Sequence, residues 1–385
     1  MHPAGSAMIE PFRIAVGDDA LDDLHRRLDA TRWIEPLAAD WAQGTDPGYL
    51  RELAGYWRHG FDWRAQEARL NAFPQFLASG AGLRIHLIRA AGRDPGSLPV
   101  LLLHGWPSSF VQMLDLIPLL THPREPGARS FDVVAASLPG FAYSEALPDP
   151  SMNEATMAAA LHGVMTRELG YERFVVRGSD FGQGVLDSIV ADFPESVIAA
   201  HISGTSATAE ETPADATPDV IRYLDAVRRW RETESGYSTQ QRTRPDTLAP
   251  ALNDSPVGLA SWIVEKFRRW SDCDGDLERR FSKDRTLTNI SLYWFTETIA
   301  SSIRLYAAPA PEVHLRETPV PIGILMSTKD MVPTPRDWMA RSYRIDRWTE
   351  IDRGGHFLDA EEPEIVARDL RAFVDGVAAS GRVER

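Results

Sequence analysis

Arg173-Phe174-Val175-Val176-Arg177-Gly178-Ser179-Asp180-Phe181-Gly182-Gln183-Gly184 opens as a short apolar run, passes through Gly-x-Asp-x-Gly, and continues as a helical pattern. In that helix Val185, Leu186, Ile189, Val190 and Phe193 share one face, and Pro194 closes it. A strand, a tight turn and a helix, with glycines around one reactive residue, is a nucleophile elbow. Gly178 and Gly182 are needed because a side chain two positions from the elbow centre collides with the adjacent strand and helix. The central residue is Asp180. Ser179 is one position off the centre and is set aside as the nucleophile.

Outward from the elbow, strand and helix patterns alternate. Residues 83–88 alternate in polarity, and 99–103 form a continuous apolar run, the mark of a strand buried on both faces. Residues 131–136 and 197–202 read as further strands; 110–120 and 156–169 read as helices between them. This rhythm predicts βαβ units and a mainly parallel sheet. It stops at Thr205. Residues 205–219 are a Ser/Thr/Ala/Pro/acid linker, and 221–232, 260–270 and 290–306 then read as helices. Strand patterns return at 321–326 and 348–351, and Pro363 opens a last helix that Gly376 is expected to end. Ahead of all this, Asp18-Asp19 precede an amphipathic helix, and Leu50, Leu53 and Trp57 suggest a second. Trp33, Trp41, Trp57 and Trp63 read as anchors of an irregular segment rather than as a carbohydrate platform.

The 385 residues are 43% hydrophobic and 25% charged, the balance of an ordinary globular protein. A formal net charge of −14 argues against nucleic acid and anionic membranes as partners. The single cysteine, Cys273, excludes an intramolecular disulfide and a multi-cysteine metal site; between Asp272 and Asp274 it reads as a solvated thiol. No run of 18 apolar residues and no secretory pattern in 1–10 is present, so a cytosolic protein is expected.

Asp330 follows the 321–326 strand, and His356 stands in Arg353-Gly354-Gly355-His356-Phe357 after the 348–351 strand. The order nucleophile, acid, histidine is that of the α/β-hydrolases. Asp337 and Asp352 are the alternative acids. His104-Gly105-Trp106-Pro107 ends the 99–103 strand and offers a backbone N–H to an oxyanion, with a second from Phe181. His104 reads as a loop-shaping residue, and Pro107 is expected to follow a cis bond. An aspartate needs no base, because a carboxyl is ordinarily ionised near pH 7. It attacks an sp³ carbon and forms an alkyl ester, which His356, oriented by Asp330, then hydrolyses by activating water. An epoxide opens to an alkoxide that needs a proton donor, and the helical stretch carries Tyr223, Tyr237, Tyr293 and Tyr306. A halide wants N–H donors beside the nucleophile, and Phe181 has none, so epoxides are favoured over a dehalogenase reading. A non-catalytic receptor is the third alternative.

The chain resembles the microsomal-type and juvenile-hormone epoxide hydrolases over nearly its full length. The resemblance rests on Asp29-Ala30-Thr31-Arg32-Trp33, Tyr56-Trp57, Asp62-Trp63-Arg64, Phe73-Pro74-Gln75-Phe76, the His-Gly-Trp-Pro stretch, 178–182, 252–259 and 353–357. It implies an α/β-hydrolase core with a mainly parallel sheet, a helical cap insertion and an N-terminal wrapping meander. The implied units are 1–80 (meander), 81–205 (core), 206–311 (cap) and 312–385 (core). It carries the nucleophile to Asp180, the base to His356, the acid to Asp330 and the two cap tyrosines to Tyr237 and Tyr306. Mammalian microsomal members have Glu where Asp330 stands. They also carry a membrane anchor that is not seen here, so a soluble form is expected. The substrates implied are an epoxide and water, without metal or cofactor; a homo-oligomer stays open.

Overall fold

A computed structural model of the chain describes residues 9–35, 37, 40–146, 152–204, 211–311 and 313–381. The first residues of the expected linker, 205–210, lie outside these, as do 1–8 of the N-terminal stretch. Among the described residues there are nine strands: β1 (Glu10–Phe12), β2 (Gln75–Gly80), β3 (Leu83–Ala90), β4 (Leu98–Leu103), β5 (Phe131–Ala136), β6 (Phe174–Gly178), β7 (Val197–Ile202), β8 (Ile322–Ser327) and β9 (Ile345–Ile351). They form one sheet in the order β1-β2-β3-β5-β4-β6-β7-β8-β9. The first three pairings are antiparallel and the rest parallel.

The central strands alternate between two cores. In β4, Leu101 and Leu103 pack on one face of the sheet while Val100 and Leu102 pack on the other. In β6, Phe174 and Val176 face one side and Val175 the other. All are shielded from water, and each large side chain so buried contributes roughly 1.5–3 kcal/mol. Parallel strands covered by helices on both faces read as the unbroken apolar runs seen here. The register sets Leu103 opposite Gly178, so the loop after β4 and the elbow after β6 emerge side by side.

Some elements differ from the sequence expectation. The 110–120 helix is a 3₁₀ turn, Phe110–Met113, followed by Leu116–Thr121. The 156–169 helix starts at Glu154 on an Asn153 capping box and ends in a π turn, Val164–Glu168. The 290–306 helix is two, Lys283–Thr296 and Ile299–Arg304, because Glu297 sits left-handed with φ 56°. Gly376 does not end the last helix, which runs Pro363–Ala379; packing of Phe373, Val374 and Val377 carries it past the glycine. Cys273 is not solvated: it is buried, its thiol donating to the Arg268 carbonyl at 3.2 Å. Burial raises its pKa, so the thiol form is favoured.

Between β7 and β8 the described chain is helical, and helices Gly236–Thr243 and Pro245–Asp254 join those expected. The N-terminal stretch is more regular than expected, with helices Asp18–Asp29, Pro47–His59 and Trp63–Leu70. It is tied to the helical insertion by long-range bonds: Trp57 Nε1 donates to Ser291 Oγ at 3.1 Å, Tyr56 to Asp284 at 2.7 Å, and Arg27 to Asp254 at 2.6 Å. Trp57 and Trp63 are buried, whereas Trp33 is exposed. No helix among the described residues is long and apolar enough to cross a membrane.

Candidate active site

Asp180 stands two residues beyond the end of β6 and caps helix Phe181–Asp192. Its backbone is left-handed, φ 52°, although it has a side chain. Such a conformation costs on the order of 1–3 kcal/mol and persists only where surroundings hold it. They do so through close approach. A Cβ on Gly178 would lie 2.3 Å from the Gly182 carbonyl oxygen. One on Gly182 would lie 2.5 Å from Leu103 O, and one on Gly105 would lie 2.3 Å from Asp180 Cβ. All three glycines are therefore required by packing, as the motif reading expected for Gly178 and Gly182.

The carboxylate of Asp180 is held from both sides. Its Oδ1 accepts the backbone N–H of Trp106 at 2.9 Å and of Phe181 at 2.7 Å. Its Oδ2 lies 3.2 Å from His356 Nε2. The Trp106–Pro107 peptide bond is cis. His104 is buried, its Nδ1 3.1 Å from the Gly105 carbonyl and its Nε2 accepting from Leu138 N at 3.2 Å. Burial depresses its pKa to about 4, so it is a neutral brace for the loop.

His356 Nδ1 lies 3.0 Å from Asp330 Oδ1, and Asp330 also accepts from Met331 N at 2.7 Å. Asp330, rather than Asp337 or Asp352, is the acid at the imidazole. Burial disfavours the imidazolium, but the charges of Asp330 and Asp180 and their hydrogen bonds outweigh it and push His356 up to about 10. At neutral pH His356 thus rests as an imidazolium between Asp180 and Asp330.

Across from Asp180 stands a box of aromatic rings. Tyr237, on helix Gly236–Thr243, stacks on Trp106 with centroids 5.4 Å apart and planes 5° apart. Tyr306, in the 3₁₀ turn Leu305–Ala307, is edge-on to Phe181 at 4.8 Å and to Tyr237 at 5.9 Å. Burial, reinforced by the Asp180 charge, raises both phenols, and their hydroxyls share a hydrogen bond. Both therefore stay protonated beside the carboxylate. Tyr293 is committed elsewhere, donating to the Ser108 carbonyl at 2.7 Å, and Tyr223 packs in a separate cluster with Val332.

Several supports were not legible in the sequence. Trp270 accepts the His356 N–H at 2.8 Å through its carbonyl and stands edge-on to the imidazole at 5.4 Å. Glu361 accepts the N–H groups of Asp272, Gly355 and Phe357, bracing the histidine loop. Beneath the elbow, Arg177 is fully buried and donates to Asp359 at 2.6 Å. The contacts of Trp270 with His356, of Asp272 with Glu361 and of Arg177 with Asp359 each span more than 80 residues in sequence, and local pattern does not register them.

An α/β-hydrolase whose elbow carries a carboxylate in place of a hydroxyl is what the fold and site define. Residues 9–113 match the family described as epoxide hydrolase N terminus, and residues 99–241 match the alpha/beta hydrolase fold. The chain is 40% identical over 370 residues to a putative epoxide hydrolase of Stigmatella aurantiaca, covering 94% of this chain and 84% of that one. It is 34% identical over 420 residues to epoxide hydrolase 1 of Oryctolagus cuniculus, covering 98% and 90%. Among solved structures, the juvenile hormone epoxide hydrolase of the silkworm Bombyx mori superimposes with a TM-score of 0.89 at 28% identity, over 98% of this chain and 96% of that chain. The chain belongs to the epoxide hydrolase family.

Proposed function

We propose that this hydrolase opens a lipophilic epoxide to a vicinal diol through an alkyl ester on Asp180, with 206–311 as the cap over the site. The supporting observation is the placement of Asp180. One oxygen is held by two N–H groups and the other lies against His356, while the Asp180 charge acts on both Tyr237 and Tyr306.

Oδ2, the oxygen outside the two backbone N–H groups, attacks an epoxide carbon while Tyr237 and Tyr306 protonate or hydrogen-bond the leaving oxygen. The bond from carbon to the ring oxygen breaks, and the proton that leaves the tyrosine pair is replaced, in net terms, from the His356 imidazolium. His356 is left neutral. With Asp180 esterified, one of the two charges that raised the imidazole is gone, so its pKa falls and it becomes a competent base. It takes a proton from water, and the hydroxide attacks the ester carbonyl. Oδ1 becomes the oxyanion, already seated on Trp106 N and Phe181 N. Collapse releases the diol alkoxide, which takes the proton from His356, and the regenerated carboxyl returns its own proton to the imidazole. Asp330 holds the ring tautomer throughout.

A single turnover in ¹⁸O-labelled water tests this reading. The first diol should carry unlabelled oxygen from Asp180, with label entering the enzyme carboxylate; label in the first diol means direct attack by water and overturns the ester.

A dehalogenase reading on the same scaffold retains one observation in its favour. Trp106 Nε1 is buried beside Tyr237 without a hydrogen-bond partner, an orphan donor where Phe181 supplies none. Halide release from a bromoalkane that survives Tyr306→Phe would favour it.

A further inference from the structure

Helix Pro256–Trp270 buries Ile263, Val264 and Phe267, and Lys266 lies between them in the sequence. Lys266 is itself 9% exposed. Its Nζ stands over the ring of Tyr237, 5.0 Å from the centroid, and over the ring of Trp262 at 5.3 Å. The two helices are tied a second time one turn away, where Trp262 Nε1 donates to Gln241 Oε1 at 2.9 Å. Lys266 is thus held at the π-face of a phenol that stands nearly perpendicular to Tyr306, stacks on Trp106 and lies 5.1 Å from Trp270. The chain has only three lysines, at 266, 283 and 329, against 38 arginines by difference from 41 basic residues. One of the three is therefore spent in an apolar position beside the candidate proton donor.

Resting on the epoxide-opening reading above, we propose that Lys266 is a positioning residue that strengthens Tyr237 as donor to the opening epoxide oxygen, through its ammonium over the phenol ring. A cation over an aromatic face is attracted by the ring quadrupole, and the attraction grows as negative charge develops on the ring. As the epoxide C–O bond breaks, the Tyr237 O–H proton moves toward the nascent alkoxide and charge accumulates on the phenol. The ammonium stabilises that charge without touching substrate, and no proton leaves Lys266 in the step. The acidic residues facing it are Glu265, its ion-pair partner, and Glu234.

The charge on Lys266 is itself within reach of pH. Burial pushes its pKa down to about 8, against the pull of Glu234. The ammonium is therefore present below about pH 8 and lost above it, and ester formation should weaken over that range.

The test is the rate of ester formation in single turnovers on a terminal epoxide, followed by tryptophan fluorescence across pH 6–10. Lys266→Met should slow ester formation about 10-fold at pH 7, leave ester hydrolysis unchanged, and remove the alkaline fall near pH 8. Lys266→Arg should restore the rate and carry it beyond pH 8, since a guanidinium does not lose its proton there. In a Tyr237→Phe background Lys266→Met should add no further loss. Equal slowing in both backgrounds, or no slowing in either, overturns the proposal, as does an unchanged alkaline limb in Lys266→Arg. Should Lys266→Met not fold, Lys266→Arg and Lys266→Gln decide by the same pH profile. Normal ester formation in Tyr237→Phe alone removes Tyr237 as donor, a failure of the parent reading distinguishable from a failure of Lys266.

Discussion

The sheet side of the site and its helical side are built by different means. On the sheet side, Asp180, Asp330 and His356 stand on loops at the carboxyl ends of β6, β8 and β9, and their arrangement is ionic and short-range. On the helical side, Tyr237 and Tyr306 stand on separate short elements and are arranged by ring packing, with centroid distances of 4.8–5.9 Å. On the proposed mechanism the sheet side exchanges charge, Asp180 and His356 both losing theirs in the ester and regaining it on hydrolysis. On the same proposal the helical side supplies neutral donors that act while the epoxide oxygen is leaving. Parallel strands deliver loop residues to one edge with little freedom. Helices stacked through aromatic faces set a pocket whose chemistry depends on which ring meets which.

That division makes a separable prediction for each side. The largest effect is expected from His356→Gln. It keeps Asp180 as nucleophile but removes the base, so ester hydrolysis should slow by about 10²–10⁴-fold. The intact mass of the protein should then rise by the mass of one epoxide. A variant that turns over without accumulating adduct would break the assignment of the sheet side to hydrolysis.

Tyr306→Phe should show the opposite split, slowing ester formation by about 10–100-fold, in the range of losing one oxyanion-type donor, with hydrolysis of the formed ester unaffected. Rapid-quench measurement of the two steps checks this. Equal loss in both steps would mean the aromatic box holds the whole site together and donates nothing specific.

The smallest effect concerns the ties that hold the helical side in place. Ser291→Ala leaves the buried Trp57 Nε1 without its acceptor, which should cost about 1–3 kcal/mol and appear as a lowered midpoint in urea. An unchanged midpoint would show that the N-terminal meander does not depend on this bond.

Much of the sheet side was legible in advance because its signals are local. The run 174–178, the glycines around Asp180 and the histidine after Gly354-Gly355 each sit within a dozen residues, and the strands 131–136 and 197–202 are found at the expected bounds. Element ends were less legible. Gly376 lies inside a helix because buried neighbours outweigh its propensity, and the break at Glu297 is a left-handed residue that no glycine announces. Cys273, flanked by acids, reads as solvated. It is buried because the Asp272 carboxylate turns to Arg280 and the Gly354 N–H, while the thiol turns to a backbone carbonyl.

By itself the sequence determined the alternation of elements, the elbow and its central carboxylate. These follow from period-2 and period-3.6 burial and from the steric demand for glycine within a few residues of Asp180. The tertiary structure alone decided that Asp330 rather than Asp337 or Asp352 meets His356, that Tyr293 is engaged elsewhere, and that Lys266 faces Tyr237. Each of those is a contact between residues far apart in the chain. Register between strands and packing between helices set such distances, and neither is written in the spacing of one segment.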